Sequence, residues 1–185
     1  MKMVKGGNPM RIKIILGCDH RGKDTFDLIS KYLRSSENYT LVCANDELMA
    51  GSVDYPDIAG IVAREVSAQR ADYGILICGT GVGMCVVANK YRGVRAAPCH
   101  NEVAAELSRA HNDANILCLS GDMLGERSTL AIVDKWLNTV FVGGRHQIRL
   151  DKIKNIESRN ARQQKIESQL KLDLIPKNNR LVAMF

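Results

Sequence analysis

Short apolar runs alternate along this chain with longer stretches whose apolar positions recur every three to four residues. The runs predict strands at Arg11–Gly17, Tyr39–Cys43, Gly74–Cys78, Val94–Pro98 and Asn115–Leu119. The first helical stretch is Lys23–Arg34, with Phe26, Leu28, Ile29, Tyr32 and Leu33 at roughly helical spacing. A second helix is predicted from Tyr55 to about Gln69, with Pro56 suited to its first turn. A third starts at Met84 and runs to about Tyr91. A fourth, capped by Asn101, runs to about Ala110. Two more fit from about Ser128 to Thr139 and from about Arg145 onward. Regular β–α alternation implies a five-stranded parallel sheet with helices on both faces, a three-layer α/β sandwich.

The pattern changes at both ends. Residues 1–9 read as a flexible leader, and they lack the apolar stretch of a signal peptide. Residues 10–150 read as one domain. From Asp151 to Phe185 the chain is polar and helix-prone, with Ile153, Ile156, Ile166 and Leu170 spaced for one apolar face. This C-terminal helical extension has a face suited to packing on a partner subunit. Pro176-Lys177-Asn178-Asn179 breaks it before the apolar Leu181-Val182-Ala183-Met184-Phe185.

Charge sharpens that division. The formal net charge of +6 belongs to residues 145–185, which carry 10 Lys and Arg against 4 Asp and Glu. Nucleic-acid binding calls for stacking aromatics among the charges, and this segment offers only Phe185. A solvated basic helix fits better, so no nucleic-acid partner is expected. No apolar run nears the roughly 20 residues that span a bilayer, so no membrane partner is expected either. The six cysteines form no CxxC pair, and several sit inside apolar runs. They read as reduced thiols in a cytoplasmic protein.

Parallel sheets bind ligands at the carboxyl ends of their strands. That rule selects Cys18-Asp19-His20, Cys78-Gly79-Thr80 and Cys99-His100. The most informative is Cys78, which ends an apolar strand and is followed by Gly79-Thr80-Gly81-Val82-Gly83. Backbone N–H groups in such a loop can hold an anionic oxygen and favour a thiolate, a pairing suited to proton transfer next to a carbonyl. Equally, a cysteine here can be a small core residue and the glycines a tight turn. The spacing G-x-G-x-G is not the dinucleotide fingerprint, and the Gly-Lys-[Ser/Thr] of a nucleotide-binding P-loop is missing. No cofactor is expected. Cys18, His20, Cys99 and His100 match no common zinc spacing, so no metal is expected. His111 follows a predicted helix and reads as a general acid or as a C-terminal cap. Arg145 and Arg149, at i and i+4, share a helical face that suits a phosphate dianion or simply faces solvent.

Six segments taken in order resemble the type B ribose-5-phosphate isomerases, a family that includes allose- and galactose-6-phosphate isomerases. They are Gly17-Cys18-Asp19-His20, Asp54-Tyr55-Pro56-Asp57, Cys78-Gly79-Thr80-Gly81-Val82-Gly83, Ala88-Asn89-Lys90, Leu107-Ser108-Arg109-Ala110-His111-Asn112-Asp113 and Gly143-Gly144-Arg145-His146-x-x-Arg149. The resemblance covers about residues 10–155. It implies a Rossmann-like fold and an aldose–ketose isomerase of the pentose phosphate pathway, without metal or nucleotide. Its site would be shared between subunits of a homodimer or tetramer.

Position by position, the resemblance implies that Cys78 moves the proton between C1 and C2 through a cis-enediolate. Gly79, Gly81, Val82 and Gly83 would lend amides to the enediolate oxygens, and Thr80 would assist proton movement between them. His111, aided by Asp19, would open the sugar ring. Asn112 and Tyr55 would contact the sugar, while His20, Arg145 and Arg149 would hold the phosphate.

Two positions depart from the family pattern. Met84 stands where some relatives have a glutamate base. Asp122 stands where many relatives carry a phosphate-binding arginine. A carboxylate beside a phosphate repels it, so either Asp122 points away, the phosphate site differs, or the preferred substrate has shifted. The competing readings are a hexose-6-phosphate isomerase and a catalytically silent sugar-phosphate-binding module. The His111-Asn112 pair favours the pentose.

Overall fold

In the computed structural model the described residues are 11–44 and 53–173. Contacts divide the chain into two units at Gly143/Gly144. The first unit runs β1 (Ile12–Cys18), α1 (Lys23–Arg34), β2 (Tyr39–Cys43), α2 (Tyr55–Ser67), β3 (Tyr73–Cys78), α3 (Val82–Ala88), β4 (Ala96–Pro98), α4 (Glu102–Asn112), β5 (Ile116–Ser120) and α5 (Glu126–Asn138). All five strands are parallel, in the order β2-β1-β3-β5-β4. This is the expected Rossmann-like α/β fold.

Side chains alternate across the central strands because successive Cβ atoms point to opposite faces. Ile14, Leu16, Ile75, Ile77, Leu117 and Leu119 pack with Phe26, Ile29 and Leu33 of α1 and with Ile132, Val133 and Trp136 of α5. Ile15, Leu76, Cys78, Ile116 and Cys118 face the other way, onto Ile58, Val62 and Val66 of α2 and Met84 and Ala88 of α3. Two cores thus clamp the sheet, and the near-continuous apolar runs of β1, β3 and β5 follow from burial on both faces.

Most elements differ from their predicted bounds by a residue or two, and three of these differences have side-chain hydrogen bonds at the element's end. β4 begins at Ala96 rather than Val94, since the Arg95 N–H donates to Asn115 Oδ1 (2.7 Å) outside the ladder. Pro98 is tolerated because β4 is an edge strand. α3 begins at Val82 and ends at Ala88, where the Asn89 amide turns back to Cys85 O (3.1 Å) and bridges to Ala96 N and O (both 2.9 Å). α4 extends through Asn112, so His111 lies in its last turn rather than after it. There Asp113 takes a left-handed conformation (φ 44°) and its carboxylate binds Arg109 and Arg95, each at 2.8 Å. Other predictions hold closely: Asn101 caps α4 by accepting from Ala104 N (2.8 Å), and Pro56 sits in the first turn of α2.

The second unit contains α6 (Arg145–Asp173), one uninterrupted helix. Ile153, Ile156, Ile166 and Leu170 are exposed on it. The Pro176 break and the final apolar residues lie outside the described residues. Among the described residues no helix is long and apolar enough to cross a membrane.

Candidate active site

Strand register brings the predicted loops level. Cys18 pairs with Ile77, and Cys78 with Ser120. The chain therefore leaves β1, β3 and β5 side by side at one edge of the sheet. Asp19 is buried there, its N–H donating to Ile77 O (3.1 Å) and its Oδ1 accepting from the Arg21 N–H (2.9 Å). His20 is exposed at the same edge.

Cys78 is 6% exposed, at the surface end of the core beneath α2 and α3. Gly81 turns the loop over it with φ 77°, a region that side chains rarely enter. A Cβ on Gly81 would also lie 3.0 Å from the Leu119 carbonyl, so glycine is required on two counts. The result is that the Gly81 N–H donates to Cys78 Sγ (3.1 Å). Thr80 is exposed at the loop tip, its Oγ1 accepting from the Val82 N–H (3.3 Å). The Tyr55 ring lies against Gly83, where a Cβ would meet it at 2.9 Å. Cys78, Thr80, Gly81, Val82, Gly83 and Tyr55 thus lie together in one surface, with Asp19 and His20 on the adjoining loop.

The residues that fix this loop from below escaped that reasoning. Ser120 is fully buried, and its hydroxyl donates to Gly79 O (2.6 Å) and accepts from the Met123 N–H (2.9 Å). The Gly121 N–H donates to Cys78 O (2.8 Å), and the Asp122 N–H to Gly79 O (3.3 Å). The available signal was positional: Ser120 ends the strand beside β3, at the same carboxyl edge. Asp122 does not present a bare carboxylate, because it is bound by the guanidinium of Arg21.

His111 and Asn112 are elsewhere. α4 returns from the end of β4 and finishes three residues before β5 begins. The Asn115 N–H meets Arg95 O (3.0 Å) and Asn115 O accepts from the Gly74 N–H (2.9 Å), which places this turn at the amino edge of the sheet. The length of β5, about 13 Å, separates that edge from the Cys78 loop. Arg109 anchors the turn: it is buried between the rings of Tyr73 (4.7 Å) and Trp136 (5.2 Å) and donates to Tyr73 Oη (2.8 Å) and Ala114 O (2.6 Å). One chain therefore does not bring His111 to its own Cys78. On α6, Arg145 Nε and Arg149 Nη1 reach the two ring nitrogens of His146 (3.4 and 3.5 Å), so the two arginines share a face as predicted.

Other thiols near the site differ sharply in character. Burial, reinforced by Asp19, pushes Cys18 up to about 12. Cys85 in α3 is brought down to about 7 by hydrogen bonding with Cys118 and with Asn89, against the opposing effect of burial. The Cys85 thiolate accumulates as pH rises through 7, so iodoacetamide labelling of Cys85 is expected to be half-maximal near pH 7, with Cys18 unlabelled at pH 8. Peptide mass spectrometry across pH 5–9 checks this, and equal labelling of the two would overturn it. Among the described residues no three His, Cys, Asp or Glu side chains cluster so as to hold a metal ion.

The Ribose/Galactose Isomerase family model matches residues 14–153. The chain is 42% identical over 145 residues to the probable ribose-5-phosphate isomerase B of Mycoplasma genitalium, across 78% of this chain and 95% of that protein. Among solved structures it resembles ribose-5-phosphate isomerase B of Clostridium thermocellum (TM-score 0.76, 43% identity, 80% of this chain and 99% of that one). It also resembles the M. genitalium ribose-5-phosphate isomerase B with bound ribulose-5-phosphate (TM-score 0.75, 41% identity, 80% and 98%). By its fold, its Cys78 loop and these matches, the chain belongs to the ribose/galactose isomerase family.

Proposed function

We propose that the protein is a ribose-5-phosphate isomerase, interconverting ribose 5-phosphate and ribulose 5-phosphate. The observation that carries this reading is a thiol at the carboxyl edge of β3 that accepts a backbone N–H beneath a glycine loop, in a chain of this family. In the open-chain aldose, the Cys78 thiolate takes the C2 proton. The C–H electrons form the C1=C2 bond, and negative charge passes to O1. Amides of the Gly79–Gly83 loop hold the two oxygens, which is where charge develops. Thr80 Oγ1 relays the O2 proton to O1. Cys78 then returns its proton to C1, and the ketose is formed.

Tyr55 and Asn112 contact the sugar, and His20, Arg145 and Arg149 hold the phosphate. Asp19 and His111 open the ring. Because Asp19 and His111 lie at opposite edges of one sheet, their cooperation requires His111 from a second copy of the chain. That separation supports a homo-oligomer, a dimer or a tetramer, with shared sites. A cytoplasmic setting agrees with six cysteines that form no disulfide among the described residues.

The test is incubation with ribose 5-phosphate in deuterium oxide. Ribulose 5-phosphate should form with solvent deuterium at C1, and the recovered aldose should exchange at C2. Parallel assays on allose 6-phosphate and galactose 6-phosphate should be at least tenfold slower. Faster turnover of either hexose would transfer the assignment to it. Binding of ribose 5-phosphate with no exchange would make the chain a silent binding module.

A further inference from the structure

Arg21, in the loop after β1, and Asp122, in the loop after β5, are 101 residues apart in sequence. β3 lies between those strands, so their ion pair spans the mouth of the Cys78 loop. A Cβ on Gly79 would lie 2.8 Å from Asp122 Oδ2 and 2.9 Å from Arg21 Nε, so the pair rests on the Gly79 backbone. The adjoining loops are themselves in close contact, since a Cβ on Gly121 would meet Arg21 O at 2.6 Å. The Arg21 backbone is held by Asp19 and its guanidinium by Asp122, through Nη2. A guanidinium has five N–H donors. The side chain of Arg21 is 59% exposed, so donors remain accessible at the carboxyl edge of the sheet.

An oriented, outward-facing guanidinium next to His20 is a receptor for an anion. We propose that Arg21 is an additional ligand of the substrate's phosphate end, with Asp122 as the positioning residue that aims it. This rests on the sugar-phosphate reading above and extends it to a residue outside the family pattern. Asp122, which in isolation would repel a phosphate, instead orients the cation that attracts one. The net charge of the pair is zero, so recognition comes from the direction of the remaining N–H groups rather than from a surplus of charge.

The test is Arg21→Gln, with Arg21→Lys and Asp122→Asn beside it, each checked for an unchanged melting temperature. Arg21→Gln is expected to raise KM for ribose 5-phosphate about tenfold or more with kcat within about twofold. It should also weaken binding of inorganic phosphate, measured by calorimetry, by a similar factor. Arg21→Lys keeps the charge and loses the fork, so its KM should fall between wild type and Arg21→Gln. Asp122→Asn should raise KM less, about threefold, and have no further effect in the Arg21→Gln background. A fall in kcat with KM and phosphate affinity unchanged would overturn the proposal, because the pair would then only brace Gly79. Unchanged kinetics and unchanged phosphate affinity would overturn it as well. Wild-type protein that binds inorganic phosphate through Arg21 but isomerises no sugar phosphate would sustain the anion site and remove the isomerase reading instead.

Discussion

Cys78→Ala is expected to lower kcat on ribose 5-phosphate by about a thousandfold, with the fold retained. On the proposed mechanism the substitution removes the atom that takes the C2 proton. Cys78 is small, lies at the end of β3 and is only 6% exposed, so losing its sulfur leaves a gap of one atom beside α2 and α3. The loop above loses the Gly81 N–H contact to sulfur but keeps those that do not involve that side chain: Ser120 and Asp122 on Gly79 O, and Gly121 on Cys78 O. Substrate should therefore still bind, and KM should change by less than about threefold, since a base acting in the transition state contributes to kcat rather than to ground-state affinity. Deuterium exchange at C2 should disappear along with turnover. Cys78→Ser keeps size and hydrogen bonding but supplies a hydroxyl, a far weaker base at neutral pH, and should be nearly as inactive. An alanine variant that retains more than a tenth of wild-type turnover would place the base elsewhere. Cys85 would then be the group to examine, since its thiol is brought down to about 7.

The β–α order and the Cys78 loop were legible in sequence because both rest on local signals. Strands buried on both faces read as uninterrupted apolar runs, and a glycine at φ 77° announces a turn that no other residue makes easily. What stayed hidden depends on pairings distant in sequence. Nothing near Arg21 shows that it meets Asp122, and nothing near Ser120 shows that its hydroxyl holds Gly79, because strand register decides both. The last two residues of α4 were hidden for the same reason: Asp113, just past the helix, pairs with Arg95, 18 residues away. The placement of His111, by contrast, was implicit in the alternation. A helix joining two parallel strands must return the chain to the amino edge, so a histidine in its last turn cannot face the carboxyl edge of its own sheet.

That geometry makes a sharp expectation for mixed oligomers. Cys78→Ala and His111→Ala should each be inactive or nearly so as separate proteins, His111→Ala losing about a hundredfold where ring opening becomes limiting. Each active site would take Cys78 from one copy and His111 from another. Unfolding the two variants together and refolding them at equal concentration should therefore produce hybrids in which one site has both native residues and its counterpart has neither. For a dimer assembled at random, half the molecules are hybrids with one working site in two, so activity should recover to about a quarter of wild type. If one chain completed its own site, no hybrid could hold Cys78 and His111 in the same site, and mixing would only average the two variants. Separately purified variants mixed without unfolding serve as the control, since recovery there should be limited by the rate of subunit exchange. Hybrid activity no higher than the mean of the two variants would show that His111 of one copy does not complete the Cys78 site of another.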